Sequence, residues 1–398
     1  MKAVGIIAEY HPFHNGHAFQ INQLRNQGFD VVVCVMSTGL VQRGEWELLP
    51  YWIRAKAALL SGADLVISLP APYANQSAQG FAFSSVSLLH DLTGVDTLAF
   101  GAESPCLKDF IAAAQCMQTQ EFICKVKEEI QRGAAPAIAN SRALGVFLKE
   151  SQHLLQMPNN LLGVYYCEAL LRLNSKIKPL SLKRQGTNHD AKEVFGQYAS
   201  ASYLREQMTQ GLFDLEQWNA YVPQACHMLY HQAQREGLFL KKEHVDFAVL
   251  SRLRAQTKEE LSLIRGGNEG LSNRLYKQIR FAQSFAHLIE LTKTKRYTNS
   301  RIRRLIVDAT LSYQDDFPKK PPYLHILGAT QTGLNFLKQV HPSIPAHASL
   351  KTLQQQNKDC LQVAQAQSKA VDFASLCRHK VQPCGNAYTM GFQQVSVK

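Results

Sequence analysis

Over the first hundred residues, short apolar runs alternate with amphipathic stretches. Residues 3–8 (AVGIIA), 31–36 (VVVCVM), 65–69 (LVISL) and 95–100 (VDTLAF) are mostly apolar and rich in β-branched side chains. Runs of that length read as strands buried on both faces. Residues 17–27, 51–61 and 81–92 read as helices, each followed by a glycine, Gly28, Gly62 or Gly94. This βαβαβαβ succession predicts a doubly wound parallel sheet. Such sheets bind ligands beyond the carboxyl ends of their strands, so the loops after residues 8, 36, 69 and 100 should share one crevice.

Beyond residue 105 the pattern turns helical. Residues 105–174 carry helical spacing with breaks at 133–136 and 157–160, residues 178–183 return as a strand, and 201–210 read as a helix. From 213 to 316 the strand signal fades, with a Gly-rich break at 266–270 and a Pro-rich segment at 318–322. The Gln-rich stretch 354–369 reads as a surface helix without chemistry. The chain has 398 residues, more than one typical domain. Three units are expected: a catalytic α/β unit over 1–212, a helical unit over 213–316 and a small extension over 317–398.

Charge sharpens this division. The net charge is +12, yet residues 1–100 hold five Lys/Arg against seven Asp/Glu. Residues 270–304 hold nine Lys/Arg against one Glu. A polyanion would suit the second region, and a solvated basic helix face is the plain alternative. Within or beside it lie Arg274, Lys293, Lys295, Arg296, Arg301, Arg303 and Arg304, with Tyr297 available in principle to stack on an unpaired base. Arg43 adds a cation in the 39–45 loop, whose glycines mark a mobile or tightly turning segment. The nine cysteines are scattered, with no Cys-x-x-Cys pair and no zinc spacing, as expected for a reducing cytoplasm and no bound zinc or iron. No apolar run approaches the ~20 residues of a membrane span, so no membrane is expected as a partner.

The most specific chemistry is His14-Asn15-Gly16-His17 at the end of the first strand. Two histidines three apart, the second entering a helix, can both face a phosphate chain, and imidazole N–H groups can stabilise charge growing on phosphoryl oxygens. Gly16 would let backbone approach the ligand. Ser200, Ser202 and Arg205, at the start of a later helix, could grip further phosphates or could simply cap that helix. Asn159 and Asn160 are nucleotide contacts or helix caps, and Arg184 is a nucleotide contact or a surface charge. Gly101 either admits a nucleoside or serves a turn.

The segment VGIIAEYHPFHNGH at 4–17 resembles the opening of the tRNA(Met) cytidine acetate ligase family of the HIGH-motif nucleotidyltransferases. Further matches run through VQRGE at 41–45, RAK at 54–56, GADLVISLP at 62–70, Phe100-Gly101, Pro158-Asn159-Asn160, Lys183-Arg184 and KRYT at 295–298. Three departures stand out: His11 in place of an Asn, Tyr165 in place of a Glu, and a shortened 187–190 segment. The resemblance implies a Rossmann-like α/β nucleotidyltransferase fold followed by a mainly helical C-terminal region. It implies activation of acetate by ATP, with Mg²⁺ arriving on the ATP, and transfer of acetyl to N4 of the wobble cytidine of elongator tRNA(Met). His14 and His17 would then be catalytic. Ile7, Glu9, Gly16, His17, Gly101, Asn159, Asn160, Arg184, Ser200, Ser202 and Arg205 would hold ATP. Two other functions remain open at this point: adenylyl transfer to a small-molecule acceptor, or RNA binding by an inactive nucleotide fold.

Overall fold

The computed structural model describes residues 1–184, 196–209, 215–268, 270–294 and 296–396. Its centre is a sheet built on the early apolar runs: β1 (Ala3–Ala8), β2 (Val31–Ser37), β5 (Leu65–Leu69), β6 (Thr97–Ala102) and β7 (Lys178–Lys183). Between β2 and β5 lies a two-stranded hairpin, β3 (Leu40–Val41) and β4 (Glu45–Trp46). The remaining strands are β8 (Leu324–Ala329), β9 (Ala346–His347) and β10 (Gln393–Gln394). The sheet order is β10-β8-β5-β2-β1-β6-β7, with β9 paired to β8. β1 pairs parallel with β2 on one side and with β6 on the other, so the chain reverses its winding at β1. The crevice beyond the carboxyl ends of β1 and β6 is where such a sheet takes its ligand.

Burial follows the sequence pattern. All seven residues of β2 and all five of β5 are buried, as central strands covered on both faces require. The covering helices include Asn15–Asn26, Tyr51–Leu60, Ala78–Leu92 and Pro158–Arg172. Asp64 ties this layer together, accepting from Val32 N, the Arg25 guanidinium and Thr330 Oγ1.

The residues beyond 317 do not form the separate extension expected of them. β8 enters the main sheet antiparallel to β5, and all six of its residues are buried. Only this strand pair makes the sheet mixed; the four core ladders are parallel. Nor is the Gln-rich stretch a surface helix. Helix Lys358–Leu376 buries Val363, Ala364, Gln367, Ala370, Val371 and Ala374, and the Gln367 side chain accepts from Ala71 N at 2.6 Å. Its alanines and valines form a face hidden within a glutamine-rich composition.

This C-terminal helix buttresses the β3–β4 hairpin. Phe373 stacks on Trp46 at 4.5 Å between ring centroids, and Gly39 turns at φ +74 with its Cα face against Ala370. Beneath the hairpin lies a fully buried charge cluster. Glu47 receives the Arg54 guanidinium, Arg378 Nη2 at 3.2 Å and Gly39 N at 2.8 Å. Arg378 also donates to the carbonyls of Glu47 and Leu48. The first and last thirds of the chain are thereby joined under one wall of the crevice.

Candidate active site

The crevice is a cavity of about 1000 Å³ whose walls come from the loops after β1 and β2, residues 75–79 beyond β5, the end of β6, helix Pro158–Arg172 and helix Asn299–Leu311. Ile7, Glu9, His14, His17, Gly101, Asn159, Arg184, Ser200 and Arg205 line it. So do Arg43, Arg296, Arg301 and Arg304. The basic cluster therefore does not stand apart from the His14–His17 end as the charge division suggested. Helix Asn299–Leu311 docks on the β3–β4 turn, where Gly44 at φ +77 comes so close to the Arg303–Arg304 backbone that a Cβ would lie 2.6 Å from Arg304 N.

His14 and His17 form the entry to helix Asn15–Asn26. His14 Nδ1 accepts from Gly16 N at 3.1 Å, and His17 Nδ1 accepts from His14 N at 3.2 Å. This is a capping box written in histidines. It has a chemical consequence. A nitrogen that accepts an N–H cannot carry the proton, so each neutral ring is the Nε2–H tautomer. The two rings stack at 3.8 Å, held by Tyr10 and Phe13 beside His17. Gly16 is required by this packing, because a Cβ there would sit 2.9 Å from His14 Cε1. Gly16→Ala is expected to tilt the His14 ring and weaken the cap by about 1 kcal/mol, with a measurable drop in the thermal midpoint and a larger drop in turnover.

Glu9 follows β1 directly. Its Oε1 accepts from Gln42 N at 2.6 Å, and its carbonyl oxygen accepts from Arg54. Desolvation in the cavity wall raises its carboxyl above the usual range; Gln42 N–H, Arg205 and Arg43 oppose that rise, and Glu45 adds to it. His11, where the resemblance expected Asn, is buried and accepts from Leu48 N through Nδ1. Burial, with Arg205, Arg54 and Arg378 nearby, lowers its pKa well below the ordinary value and keeps it neutral. Arg205 donates to the His11 carbonyl at 2.8 Å and to Ser202 Oγ at 3.2 Å, so Ser202 positions the arginine and lies off the cavity wall. Ser200 caps helix Ala201–Thr209, accepting from Tyr203 N.

At the β6 end, the Asn-Asn pair divides. Asn160 is fully buried, and its Oδ1 fastens the turn after β6 by accepting from Glu103 N and Ser104 N. Asn159 stays on the wall, donating to Glu103 at 2.6 Å and accepting from Arg184 at 3.3 Å. Glu103 itself caps helix Pro158–Arg172, accepting from Asn159 N and Asn160 N. Sequence reasoning missed this carboxylate because its partners lie 56 residues away. Gly101 lies within β6, and the space a side chain would fill is crossed by the Arg184 stem, 3.0 Å from the Cβ position.

The basic wall is narrower than composition suggested. Arg303 pairs with Glu45 at 2.7 Å and Arg274 caps helix Phe285–Thr292 by donating to the carbonyls of Leu291, Thr292 and Lys293, so both are engaged in the fold. Tyr297 is buried, with Arg301 over its ring at 4.6 Å, which removes it as a stacking platform. Lys293 is exposed and off the wall, and Lys295 and residues 187–190 lie outside the described residues. Arg304 is pushed down to about 10 by burial and by Arg301 and Arg265, while Asp308 opposes the shift; it remains protonated at neutral pH. Sequence reasoning also missed Arg265, which forms a two-pronged pair with Asp308 on the same wall.

A family model described as HIGH Nucleotidyl Transferase matches residues 1–386. The chain belongs to this family. Within it, the tRNA(Met) cytidine acetate ligase of Listeria monocytogenes serotype 4a is 38% identical over 345 residues, 85% of this chain and 86% of its own. The corresponding ligase of Clostridium novyi is 32% identical over 368 residues, covering 89% and 91%. The Thermotoga maritima TmcAL crystal structure bound with alpha-thio ATP superposes with a TM-score of 0.91 at 28% identity, covering 99% of this chain and all of that one. Its apo form gives 0.93. The match runs through both ends of the chain, so the family fold includes the strand β8 and the C-terminal helix.

Proposed function

We propose that this chain is an ATP-dependent ligase that converts acetate to acetyl-adenylate, releasing pyrophosphate, and transfers the acetyl group to N4 of the wobble cytidine of elongator tRNA(Met). The observation that carries this reading is the single cavity with a histidine-lined end and an arginine-lined end. A small-acceptor enzyme has no use for Arg43, Arg296, Arg301 and Arg304 facing the nucleotide site. Shared ancestry with tRNA(Met) cytidine acetate ligases supplies the acetate and the tRNA.

In this mechanism ATP lies with its triphosphate against helix Asn15–Asn26. The Nε2–H groups of His14 and His17, with the dipole of that helix, stabilise charge on the phosphoryl oxygens as acetate attacks the α-phosphorus. Arg205, anchored to the His11 carbonyl, and Ser200 hold the departing pyrophosphate. Asn159 and Arg184, with Gly101 and Ile7 beneath them, hold the nucleoside; Asn160 and Gly16 act by positioning these groups. Mg²⁺ belongs to the substrate, MgATP; among the described residues no group of three His, Cys, Asp or Glu could hold a metal. Also among them, no helix is long and apolar enough to cross a membrane. The reaction belongs in the cytoplasm, with its tRNA.

Acetate-dependent exchange of labelled pyrophosphate into ATP tests the first half-reaction. Exchange with acetate is expected; release of ADP and phosphate instead would remove the adenylate mechanism. The basic wall gives a separate prediction. Arg296→Ala with Arg301→Ala should weaken tRNA binding and flatten its log–log salt dependence by about 0.7–0.9 unit per lost phosphate contact. Titrations at several salt concentrations check this, and an unchanged slope would move the RNA site elsewhere.

A further inference from the structure

Resting on the function above, we propose that Glu9 is the general base of the acyl-transfer step, taking the proton of cytosine N4 as that nitrogen attacks the acetyl carbonyl. The exocyclic nitrogen of cytosine shares its lone pair with the ring, so it becomes an effective nucleophile only as its proton leaves. The first half-reaction needs no such group, because a carboxylate attacks phosphorus without losing a proton. The second needs an acceptor within the same cavity.

The cavity offers few. Its histidines are His11, His14 and His17, and in each the Nδ1 already accepts a backbone N–H, from Leu48, Gly16 and His14 respectively. Each neutral ring therefore presents an Nε2–H, which donates and cannot take a proton without losing its cap. The tyrosines Tyr10, Tyr165 and Tyr166 are all raised by burial, Tyr165 to about 12. No lysine or cysteine is on the wall among the described residues.

Three carboxylates remain. Glu45 is paired with Arg303 at 2.7 Å and faces Arg205 at 3.8 Å and His11 at 3.9 Å. Asp308 is held by both prongs of Arg265 and by Asn75. Glu9 has no ion pair within 4 Å among the described residues. Gln42 N fixes its Oε1 at 2.6 Å, and no described donor bonds Oε2. It is the wall carboxylate with an oxygen to spare.

Its place suits the task. Glu9 lies between β1 and the His14–His17 turn, so it adjoins the proposed phosphate end. Gln42, which clamps it, also accepts from Arg304 at 3.4 Å through its carbonyl and donates to the Gln76 carbonyl at 3.3 Å. A single residue thus bridges Glu9 and the basic wall where RNA would enter. The charged groups facing Glu9 are Arg43, Arg205 and Glu45, with the Tyr166 phenol beside it. The raised carboxyl described above makes a stronger base than an ordinary glutamate.

The step balances. The N4–carbon bond forms and the bond from the acetyl carbon to the phosphate oxygen breaks. The electron pair leaves on AMP, and the N4 proton passes to Glu9, which returns it to water.

The test compares both half-reactions in unsubstituted enzyme, Glu9→Gln and Glu9→Asp. Adenylate formation is read by acetate-dependent pyrophosphate exchange, and transfer by single-turnover incorporation of labelled acetate into a tRNA(Met) transcript. In Glu9→Gln, transfer should fall at least ~100-fold more than exchange, the lower end for a lost general base. The acid limb of the transfer rate, present in unsubstituted enzyme, should disappear with it, and Glu9→Asp should recover part of the rate and the limb. Equal losses in both half-reactions, or an acid limb surviving in Glu9→Gln, overturn the assignment. If unsubstituted enzyme shows no acetate-dependent exchange, the function itself fails and the base falls with it; normal exchange with normal Glu9→Gln transfer refutes the base alone.

Discussion

Replacing His14 or His17 by alanine should slow acetyl-adenylate formation by roughly 10²-fold or more, the loss found when a preorganised donor to a developing oxyanion is removed. The geometry adds a complication that can be used. His14 is both a proposed donor through Nε2–H and the N-cap of helix Asn15–Asn26 through Nδ1. Alanine removes both, and the cap alone is worth about 1 kcal/mol of stability. Asparagine at position 14 restores an acceptor for Gly16 N but places no donor where Nε2 was. His14→Asn should therefore regain the thermal midpoint lost in His14→Ala while staying slow in pyrophosphate exchange. Recovery of both would make His14 a cap and nothing more, and near-normal turnover in the two alanine variants would return both histidines to structure.

The second large effect lies beneath the site. Glu47→Ala strips the only carboxylate from a cluster in which Arg54 and Arg378 are wholly buried. Two buried guanidinium groups are then left without a counter-charge. Breaking a buried pair in this way costs about 3–5 kcal/mol. Arg378 is already pushed down to about 10 by burial and by Arg54, with Glu47 opposing the shift, so Glu47 favours its charged form. Arg378→Ala leaves the Glu47–Arg54 pair in place and should cost less. Equilibrium urea unfolding of the two variants gives the comparison. Because the cluster supports the β3–β4 hairpin, Glu47→Ala should also impair exchange at temperatures where the protein remains folded.

The histidine-lined end of the cavity, proposed above as catalytic, was legible in the sequence as a strand–turn–helix unit because it is local. β1, the turn His14–His17 and the helix behind it occupy consecutive residues, and their spacing alone implies a phosphate site. The strands 31–36 and 65–69 were equally plain, since buried parallel strands are short apolar runs, whereas the edge strand 178–183 (KPLSLK) buries only Leu182 and carries a weaker signal. What sequence patterning could not reach were partners distant along the chain. Glu103 caps a helix 56 residues later, Arg378 closes a cluster begun at Glu47, and Arg265 finds Asp308 across 43 residues. Each is an ordinary charged residue until the fold supplies its partner. The same reason explains the basic stretch. Composition counted Arg274, Arg303 and Tyr297 with the RNA surface, whereas a carbonyl cage, Glu45 and burial occupy them. The tail misled differently: glutamines on the outer face of helix Lys358–Leu376 masked the alanines and valines on its inner one.

The central claim is that one cavity joins ATP-dependent activation of acetate to modification of a tRNA base. The most direct measurement is mass spectrometry of nucleosides from elongator tRNA(Met) incubated with the protein, MgATP and isotopically labelled acetate. The account predicts labelled N4-acetylcytidine at the wobble position, formed only when ATP is present and accompanied by AMP. Unlabelled cytidine at that position, in a reaction where ATP is nevertheless cleaved to AMP in an acetate-dependent way, would contradict it and direct the adenylate to a different acceptor.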